Sequence, residues 1–161
     1  MTDRIEVPED PRDLPGPFRH RVAVEVRFRD TDAMGHVNNA VYHTYVEHGR
    51  TSYLDGVLER PLRLGTHGET SFILAESRMV HRTPVFFGEI VTVETRVTRI
   101  GRTSVEMEHR MTVPASPYGT ARLVAVCHSV LVHYDYAAGR PQPVPDDARA
   151  KVEAFEGRRP A

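Results

Sequence analysis

Residues 30–50 concentrate the side chains of this chain that could carry out a reaction. The segment opens with two acids, passes through a glycine to His36, and reaches an asparagine pair, Asn38 and Asn39, that opens an amphipathic stretch. Asparagine commonly begins a helix, so the second acid, Asp32, should lie with His36 beside the positive end of a helix dipole. A carboxylate there could attack a carbonyl group, or activate water to do so, while backbone N–H groups stabilise the oxyanion.

A strand is predicted directly before the acids. Its pattern is a set of apolar residues that alternate with charged ones: Val22, Val24, Val26 and Phe28. Such alternation is typical of a strand with one buried face. Residues 30–35 then have turn composition, so the strand would place the acids at one end of a sheet.

A helix is predicted after the turn, from about Asn39 to about Asp55. Helical spacing gives it one largely aromatic face, formed by Tyr42, Tyr45, Val46, Gly49 and Tyr53. Gly49 lowers helix propensity by about 1 kcal/mol relative to Ala, and a close approach of the sheet to this face would explain its presence. Glu47 and Arg50 have the i,i+3 spacing of an intrahelical ion pair.

In the remainder of the chain, the sequence pattern predicts four strands and a last helix. After a loop that contains Gly65 and Gly68, the β-branched segments are Ser71–Arg82, Glu89–Ile100, Ser104–Val113 and Ala121–Tyr134, and a short helix is predicted over Asp146–Phe155. Short connections favour antiparallel neighbours, so the fold class is α+β, with one long helix packed on an antiparallel sheet of five to six strands. One helix covers only part of such a sheet, and a second subunit is expected to cover the rest.

The composition restricts the class of protein. The chain of 161 residues fits one domain, with a flexible proline-rich arm at residues 1–18, a domain at 19–156 and a tail at 157–161. A formal net charge of -1 gives no global basis for binding nucleic acid, and no apolar run is long enough to span a membrane. The N-terminal residues lack a signal-peptide pattern, and Cys127 is the single cysteine. We therefore expect a cytoplasmic protein.

The stretch from Asp30 to Tyr42 resembles the active-site signature of hotdog-fold acyl-CoA thioesterases of the 4-hydroxybenzoyl-CoA thioesterase type, in its Asp-x-Asp-x-x-Gly-His-Val-Asn-Asn form. The resemblance continues through Tyr45, Glu47 and Arg50 on the helix. It extends to the Pro84–Glu89 turn and to residues 130–141, and so covers most of the chain.

The resemblance implies a role for several residues. Asp32 lies at the family's catalytic carboxylate position, as general base or nucleophile, and the backbone N–H near Asn39 corresponds to the oxyanion donor. His36 is a candidate helper, although Met34 replaces the asparagine of the Asp-x-Asn-x-His set that plant acyl-carrier-protein thioesterases carry. Glu47 is a candidate second carboxylate.

The expected substrate is an acyl-CoA thioester, or one carried by an acyl-carrier protein, and the expected products are a free acid and CoA. No cofactor or metal is needed, because coenzyme A is part of the substrate. Asn38 and Tyr42 are expected to bind substrate. Three arginines at strand ends and turns are candidates for the CoA phosphates on charge and position: Arg82, Arg99 and Arg102. A homodimer or homotetramer is expected.

Other chemistries match the sequence less well. Gly-x-Ser-x-Gly and a phosphate-binding glycine loop are absent, and the histidines lack metal-ligand spacing. An Asp-x-Asp phosphatase of the haloacid dehalogenase type would need a fully apolar strand before the acids. Two alternatives stay open: a hotdog-fold enoyl-CoA hydratase or dehydratase that uses Asp32 with His36, and a non-catalytic acyl-CoA or acyl-carrier binder.

Overall fold

A computed structural model describes residues 13–59 and 70–161. The elements in chain order are β1 (His20–Glu25), a 3-10 helix (Phe28–Asp30), α1 (Val41–Gly56), β2 (Thr70–His81), β3 (Ile90–Ile100), β4 (Ser104–Val113), β5 (Arg122–Asp135), β6 (Arg140–Pro141) and α2 (Asp146–Glu156). The strands form one antiparallel sheet in the order β1-β3-β4-β5-β2, with the two-residue β6 paired to β5. This arrangement confirms the predicted α+β hotdog fold. The loop around Gly65 and Gly68 and the first twelve residues of the arm lie outside the described residues.

The core lies between α1 and one face of the sheet, in two clusters. The first is built around Tyr42, Tyr45 and Val46 of α1, which pack with β3, β4 and β5 residues such as Val93 and Met111. The second is built around the C-terminal half of α1 and the inner face of α2, and its members include Tyr53, Leu54, Met107, Leu131 and Val152. The predicted aromatic face of α1 is therefore the buried face.

Gly49 allows α1 to approach the sheet closely. A Cβ atom at this position would lie 2.6 Å from Val93 Cγ1 and 3.1 Å from Thr95 Oγ1, closer than packed atoms tolerate. The close approach predicted from the sequence is confirmed. β3 passes directly beneath the middle of the helix.

The prediction that Phe28 lies on the buried face of the first strand is wrong. The strand ends at Glu25, and Phe28 begins the 3-10 helix with 77% of its surface exposed. The cause is Asp30, whose carboxylate accepts hydrogen bonds from the backbone N–H and the guanidinium of Arg27 and closes a tight turn. The turn interrupts the alternation that a continuing strand would need.

The start of α1 also differs from the predicted position near Asn39. Asn38 Oδ1 accepts a hydrogen bond from the Ala40 N–H at 2.9 Å, and the Asn38 carbonyl accepts one from Val41 at 2.9 Å. An asparagine side chain that bonds to the backbone two residues later forms an Asx turn. This turn precedes the helix, which begins at Val41.

Both ends of the described chain contact the sheet. Phe18 is buried against the guanidinium groups of Arg96 and Arg110, whose central carbons lie 4.3 and 4.5 Å from its ring centroid. At the other end, the Ala161 N–H donates to the carbonyl of Thr98. Among the described residues, no helix combines the length and the apolar character needed to cross a membrane.

Candidate active site

Asp32 lies in a tight turn at one end of the sheet. Thr31 and Val37 bridge across this turn, the Asp32 N–H donates to the His36 carbonyl at 3.0 Å, and Gly35, at a φ of 84°, donates back to the Asp32 carbonyl. The Asp32 side chain is half-buried, and its Oδ1 accepts a hydrogen bond from the Met34 N–H at 2.9 Å. Oδ2 accepts none from any residue that the structure describes, so it is available to a water or a substrate.

Asp30, two residues earlier, has a different environment. It is 2% exposed and accepts hydrogen bonds from Arg27 and from the hydroxyl of Tyr45, the latter at 2.9 Å. Burial acts to raise the pKa of Asp30, but the hydrogen bonds from Arg27 and Tyr45 outweigh it and hold the pKa below its usual value. Burial and the Asp30 carboxylate raise the pKa of Tyr45. Asp30 is therefore a fixed anchor of the turn.

The Asp32 turn rests on the Pro84–Glu89 loop. The Val37 N–H donates to the Val85 carbonyl at 2.8 Å, and the Val26 N–H donates to the Glu89 carbonyl at 3.0 Å. Glu89 is buried and accepts hydrogen bonds from the Phe86 N–H and from Arg122. These donors, with the Ser116 hydroxyl, outweigh the effect of burial and lower the pKa of Glu89.

Arg122 has a part in this network that no local sequence pattern indicates. Its guanidinium reaches the Glu89 carboxylate and the Pro84 carbonyl, although 33 residues separate the ion-paired side chains. Only the antiparallel register of the sheet brings them together.

The segment before α1 presents a backbone donor near Asp32. The N–H groups of Ala40 and Val41 are taken by Asn38. The N–H of the intervening Asn39 donates to no acceptor among the described residues, and Asn39 is exposed. An unpaired N–H at a helix start is suited to a carbonyl oxygen that gains negative charge. The Asn38 side chain is engaged in the Asx turn.

His36 and Tyr42 both lie close to this turn. His36 is half-buried, with Nδ1 3.3 Å from the Val37 carbonyl. Tyr42 is buried in the first turn of α1, where its ring meets the His81 ring edge-on at 4.7 Å between centroids, and burial raises its pKa.

Glu47 is exposed on α1, and the intrahelical ion pair predicted for it is not present. Arg50 is 8% exposed, and no ion pair within 4.0 Å joins it to Glu47 among the described residues. Burial lowers the pKa of Arg50, and the negative charge of Glu47 offsets part of that effect from a longer distance. The burial of Arg50 beneath the helix separates its guanidinium from the exposed carboxylate.

The structure places the three candidate arginines at two different ends of the sheet. β1 ends beside Asp32, and its last residue pairs with the first residue of β3. Arg82 follows β2 at this same end and pairs with Asp13 at 2.6 Å. Arg99 and Arg102 lie at the β3–β4 turn, on the far end of an 11-residue strand that spans about 35 Å. Within one subunit they are therefore not brought together with Asp32.

Exposed aromatic side chains surround the Asp32 turn. The Phe28 ring meets that of Phe87 edge-on at 5.9 Å, and the Phe86 ring stacks on Tyr118 at 4.7 Å. Met34, inside the turn, is 78% exposed. In the described ranges, no three His, Cys, Asp or Glu side chains form a group that could hold a metal ion.

Comparisons with known proteins match this architecture. A crystal structure of a thioesterase from Thermus thermophilus, complexed with coenzyme A and Zn, is 36% identical, with a TM-score of 0.70 over 88% of this chain and 96% of that one. A thioesterase superfamily protein from Jannaschia sp. CCS1 has a TM-score of 0.78 over 92% of this chain and 89% of that one. At 22% identity it shows the fold alone.

A curated protein also matches part of the chain. The acyl-acyl carrier protein thioesterase ATL3, chloroplastic, from Arabidopsis thaliana is 29% identical over 90 residues, which are 56% of this chain and 47% of that protein. The chain spans about half the length of this relative. The model of one family, described as the thioesterase-like superfamily, matches residues 26–152 and so includes the Asp32 turn, α1 and the whole sheet from β2 to β6. The chain therefore belongs to the thioesterase-like superfamily, which confirms the enzyme class, thioester hydrolase, that its sequence predicted.

Proposed function

We propose that the protein is an acyl-CoA thioesterase that hydrolyses an acyl-CoA thioester to a free carboxylic acid and CoA. The observation that carries the proposal is the Asp32 turn of a thioesterase-like chain. There a half-buried carboxylate precedes the backbone N–H of Asn39, and among the described residues neither Asp32 Oδ2 nor this N–H has a hydrogen-bond partner. The Thermus thermophilus thioesterase complexed with coenzyme A supports CoA as the carrier.

Asp32 acts on the thioester carbonyl as general base or nucleophile, and the Asn39 N–H donates to the carbonyl oxygen as it becomes an oxyanion. General-base assistance contributes about 10²–10⁴ in rate, and one oxyanion donor contributes about 10²–10³. Together they lower the barrier by about 5–9 kcal/mol. The thiolate of CoA is a good leaving group, so protonation of the leaving group is not a demanding step.

Two routes fit this geometry. In the first, Asp32 removes a proton from a water that attacks the carbonyl carbon. In the second, the Asp32 carboxylate attacks directly, CoA leaves as the thiolate, and water then hydrolyses the anhydride. Label in the Asp32 carboxylate after a single turnover in isotopically labelled water would establish the second route, because the first route places label only in the product acid.

The remaining site assignments are part of the same proposal. His36 assists from the turn, Asn38 holds the helix start, and Tyr42 and Arg82 contact substrate at the same end of the sheet. An acyl-carrier protein is the alternative carrier, supported by the ATL3 relative. The protein works as a homodimer or homotetramer, and the exposed Leu74 and Val80 on the edge strand β2 support contact with another subunit there.

The test is thiol release from acetyl-, medium-chain, long-chain and aromatic acyl-CoAs, with native protein beside Asp32→Asn. We expect hydrolysis of at least one class by the native protein and a loss of about 10²–10⁴ in kcat in the variant. Equal activity of the two proteins would show that another group is the catalyst. Addition of water to an enoyl-CoA without thiol release would replace hydrolysis with the hydratase function.

A further inference from the structure

A layer of polar side chains divides the core beneath α1. Its members lie at the same level on the helix and on three neighbouring strands: Arg50, Thr95, His109, Cys127 and Ser129. Each of them is at most 8% exposed. Cys127 also belongs to the first apolar cluster, and the second cluster lies on the other side of the layer. We call these five residues the polar layer. A layer of this kind in a small core requires a partner for each polar group.

His109 has one nitrogen without a partner. Its Nδ1 lies 3.0 Å from Thr95 Oγ1, whereas the buried Nε2 has no hydrogen-bond partner in the described part of the chain. Burial, reinforced by the positive charge of Arg50, lowers the pKa of His109 to about 3. The ring is therefore neutral, and when the Thr95 hydroxyl donates to Nδ1, the other nitrogen carries a proton that it can donate.

Arg50 is the second group without a partner. Its guanidinium has five N–H donors, yet no residue that the structure describes accepts a hydrogen bond from it or forms an ion pair with it. None of its nitrogens is among the fully buried atoms that lack a partner, so the guanidinium keeps some contact with solvent. Arg50 and His109 Nε2 can therefore together donate to an acceptor that carries negative charge.

The polar layer opens toward the edge strand β2. Ser77 of β2 lies 3.4 Å from Cys127 Sγ and 3.3 Å from His43 Nδ1 of α1, and it is only partly buried. Met79 and His81 continue along the same face of β2 toward the first turn of α1, where His81 meets Tyr42. A semi-exposed path therefore joins the helix start to the polar layer.

The length of this path fits an acyl group. Arg50 is 11 residues after Asn39, which is about 16 Å along a helix, and helical side chains lean toward the N-terminus by about one turn. Along the helix axis, the guanidinium is thus separated from the proposed oxyanion donor by roughly 11 Å. An extended chain covers about 1.2 Å per bond, so about nine bonds span this distance.

We propose that the polar layer binds a carboxylate at the far end of the acyl group, so that the enzyme prefers monothioesters of dicarboxylic acids of about eight to ten carbons. The inference rests on the proposed thioesterase function and adds its substrate class. Arg50 supplies a charge-assisted, bidentate contact to the carboxylate, and His109 Nε2 donates to it. The acyl chain lies against the first apolar cluster between these groups and Asp32.

The first test compares decanedioyl-CoA, linked through one carboxyl group, with decanoyl-CoA. We expect the ratio of their kcat/KM values to exceed one in the native protein and to fall at least tenfold in Arg50→Met. Met keeps the aliphatic volume of the side chain without its charge. Arg140→Gln, at an exposed position on β6, is the matched control and should keep the native ratio. Equal ratios in native protein and Arg50→Met would overturn the proposal.

The second test is independent of hydrolysis. We expect calorimetry to show that decanedioate binds the native protein more tightly than decanoate, and that Arg50→Lys, which keeps a charge, loses less of this preference than Arg50→Met. Preferential binding without hydrolysis of either thioester would support the site and reject the thioesterase function. Hydrolysis of decanoyl-CoA without any preference would reject the site alone.

Glu47 of a second copy is the other available source of a carboxylate. We expect Glu47→Gln to retain the preference for decanedioyl-CoA. A loss of this preference equal to that in Arg50→Met, together with a shift to monomer in light scattering, would assign the carboxylate to the protein and overturn the proposal.

Discussion

Asp30 and Asp32 have identical side chains but differ in burial and in hydrogen-bond partners. Asp30 is buried and hydrogen-bonded to Arg27 and Tyr45, whereas Asp32 is half-buried and one of its oxygens has no donor among the described residues. A carboxylate whose lone pairs are taken by internal donors is a weak base and a poor nucleophile, and a less occupied one can act on a substrate. The division of roles follows from the turn between them.

Asp30→Asn should lower the free energy of unfolding at pH 7 by about 1.5–3 kcal/mol, the usual contribution of hydrogen bonds to a charged group. The native pKa of Asp30 is lowered, so its stabilisation is present above the unfolded pKa, near 3.9, and is lost as pH falls through the native value. Urea unfolding of both proteins should therefore show a difference at pH 7 that narrows toward pH 3. A constant difference would contradict this account.

His109 should give a second pH dependence, in a different range. The pKa of His109 is about 3 in the native protein and near 6.5 when unfolded. The unfolded state then binds the proton first, so stability is complete above pH 6.5 and falls below it by about 1.4 kcal/mol per pH unit from this group. His109→Gln should show a flatter stability profile between pH 6.5 and 4 in urea titrations. An NMR titration of His109 with a midpoint above 5 would contradict the prediction.

At the scale of elements, Gly49 couples α1 to the sheet. Gly49→Ala should destabilise the protein by about 1–3 kcal/mol, because the new Cβ would overlap Val93 and overpacking exceeds the gain in helix propensity. Gly56→Ala is the matched control, since a Cβ there meets nothing within 4 Å, and it should be neutral or stabilising. Denaturant midpoints of the two variants measure the contrast, and a stabilised Gly49→Ala would refute the close approach.

The sequence predicts the elements well where periodicity is strong. The face of α1 with Tyr42, Tyr45 and Gly49 is a local pattern, and it is the buried face in the structure. The alternation of apolar residues predicts a buried position for Phe28, and this is wrong. The turn that exposes Phe28 depends on the Asp30 carboxylate, which the alternation does not take into account. The helix start is shifted in a similar way, because the Asn38 side chain bonds to the backbone and forms an Asx turn before the helix.

At the scale of the whole molecule, partners that meet across the sheet could not be predicted. The Glu89–Arg122 pair and the polar layer depend on strand order and register, which local patterns leave open. The same reason explains why Arg99 and Arg102 lie far from Asp32 within one subunit. The sequence marks them as turn residues without showing at which end of the sheet the turn lies. The position of Asp32 before α1 could be predicted because both lie in one short segment.

The part of the sheet that α1 does not cover predicts that the protein is an oligomer. α1 packs on β1 and β3, while β2 is an edge strand with Leu74 46% exposed. We expect light scattering to report at least a dimer and Leu74→Glu to shift it toward monomer with reduced activity. Tyr136→Ser, at another exposed hydrophobic position, is the control and should leave the mass unchanged. A fully active native monomer would contradict this arrangement.

We infer that the protein hydrolyses thioesters through Asp32, while Asp30 holds the turn. The most direct test measures kcat on a responsive acyl-CoA and the thermal midpoint Tm for native protein, Asp32→Asn and Asp30→Asn side by side. We expect Asp32→Asn to lose about 10²–10⁴ in kcat at a nearly native Tm, and Asp30→Asn to lower Tm by several degrees. Native activity in Asp32→Asn, or a large kcat loss confined to Asp30→Asn at native Tm, would contradict it.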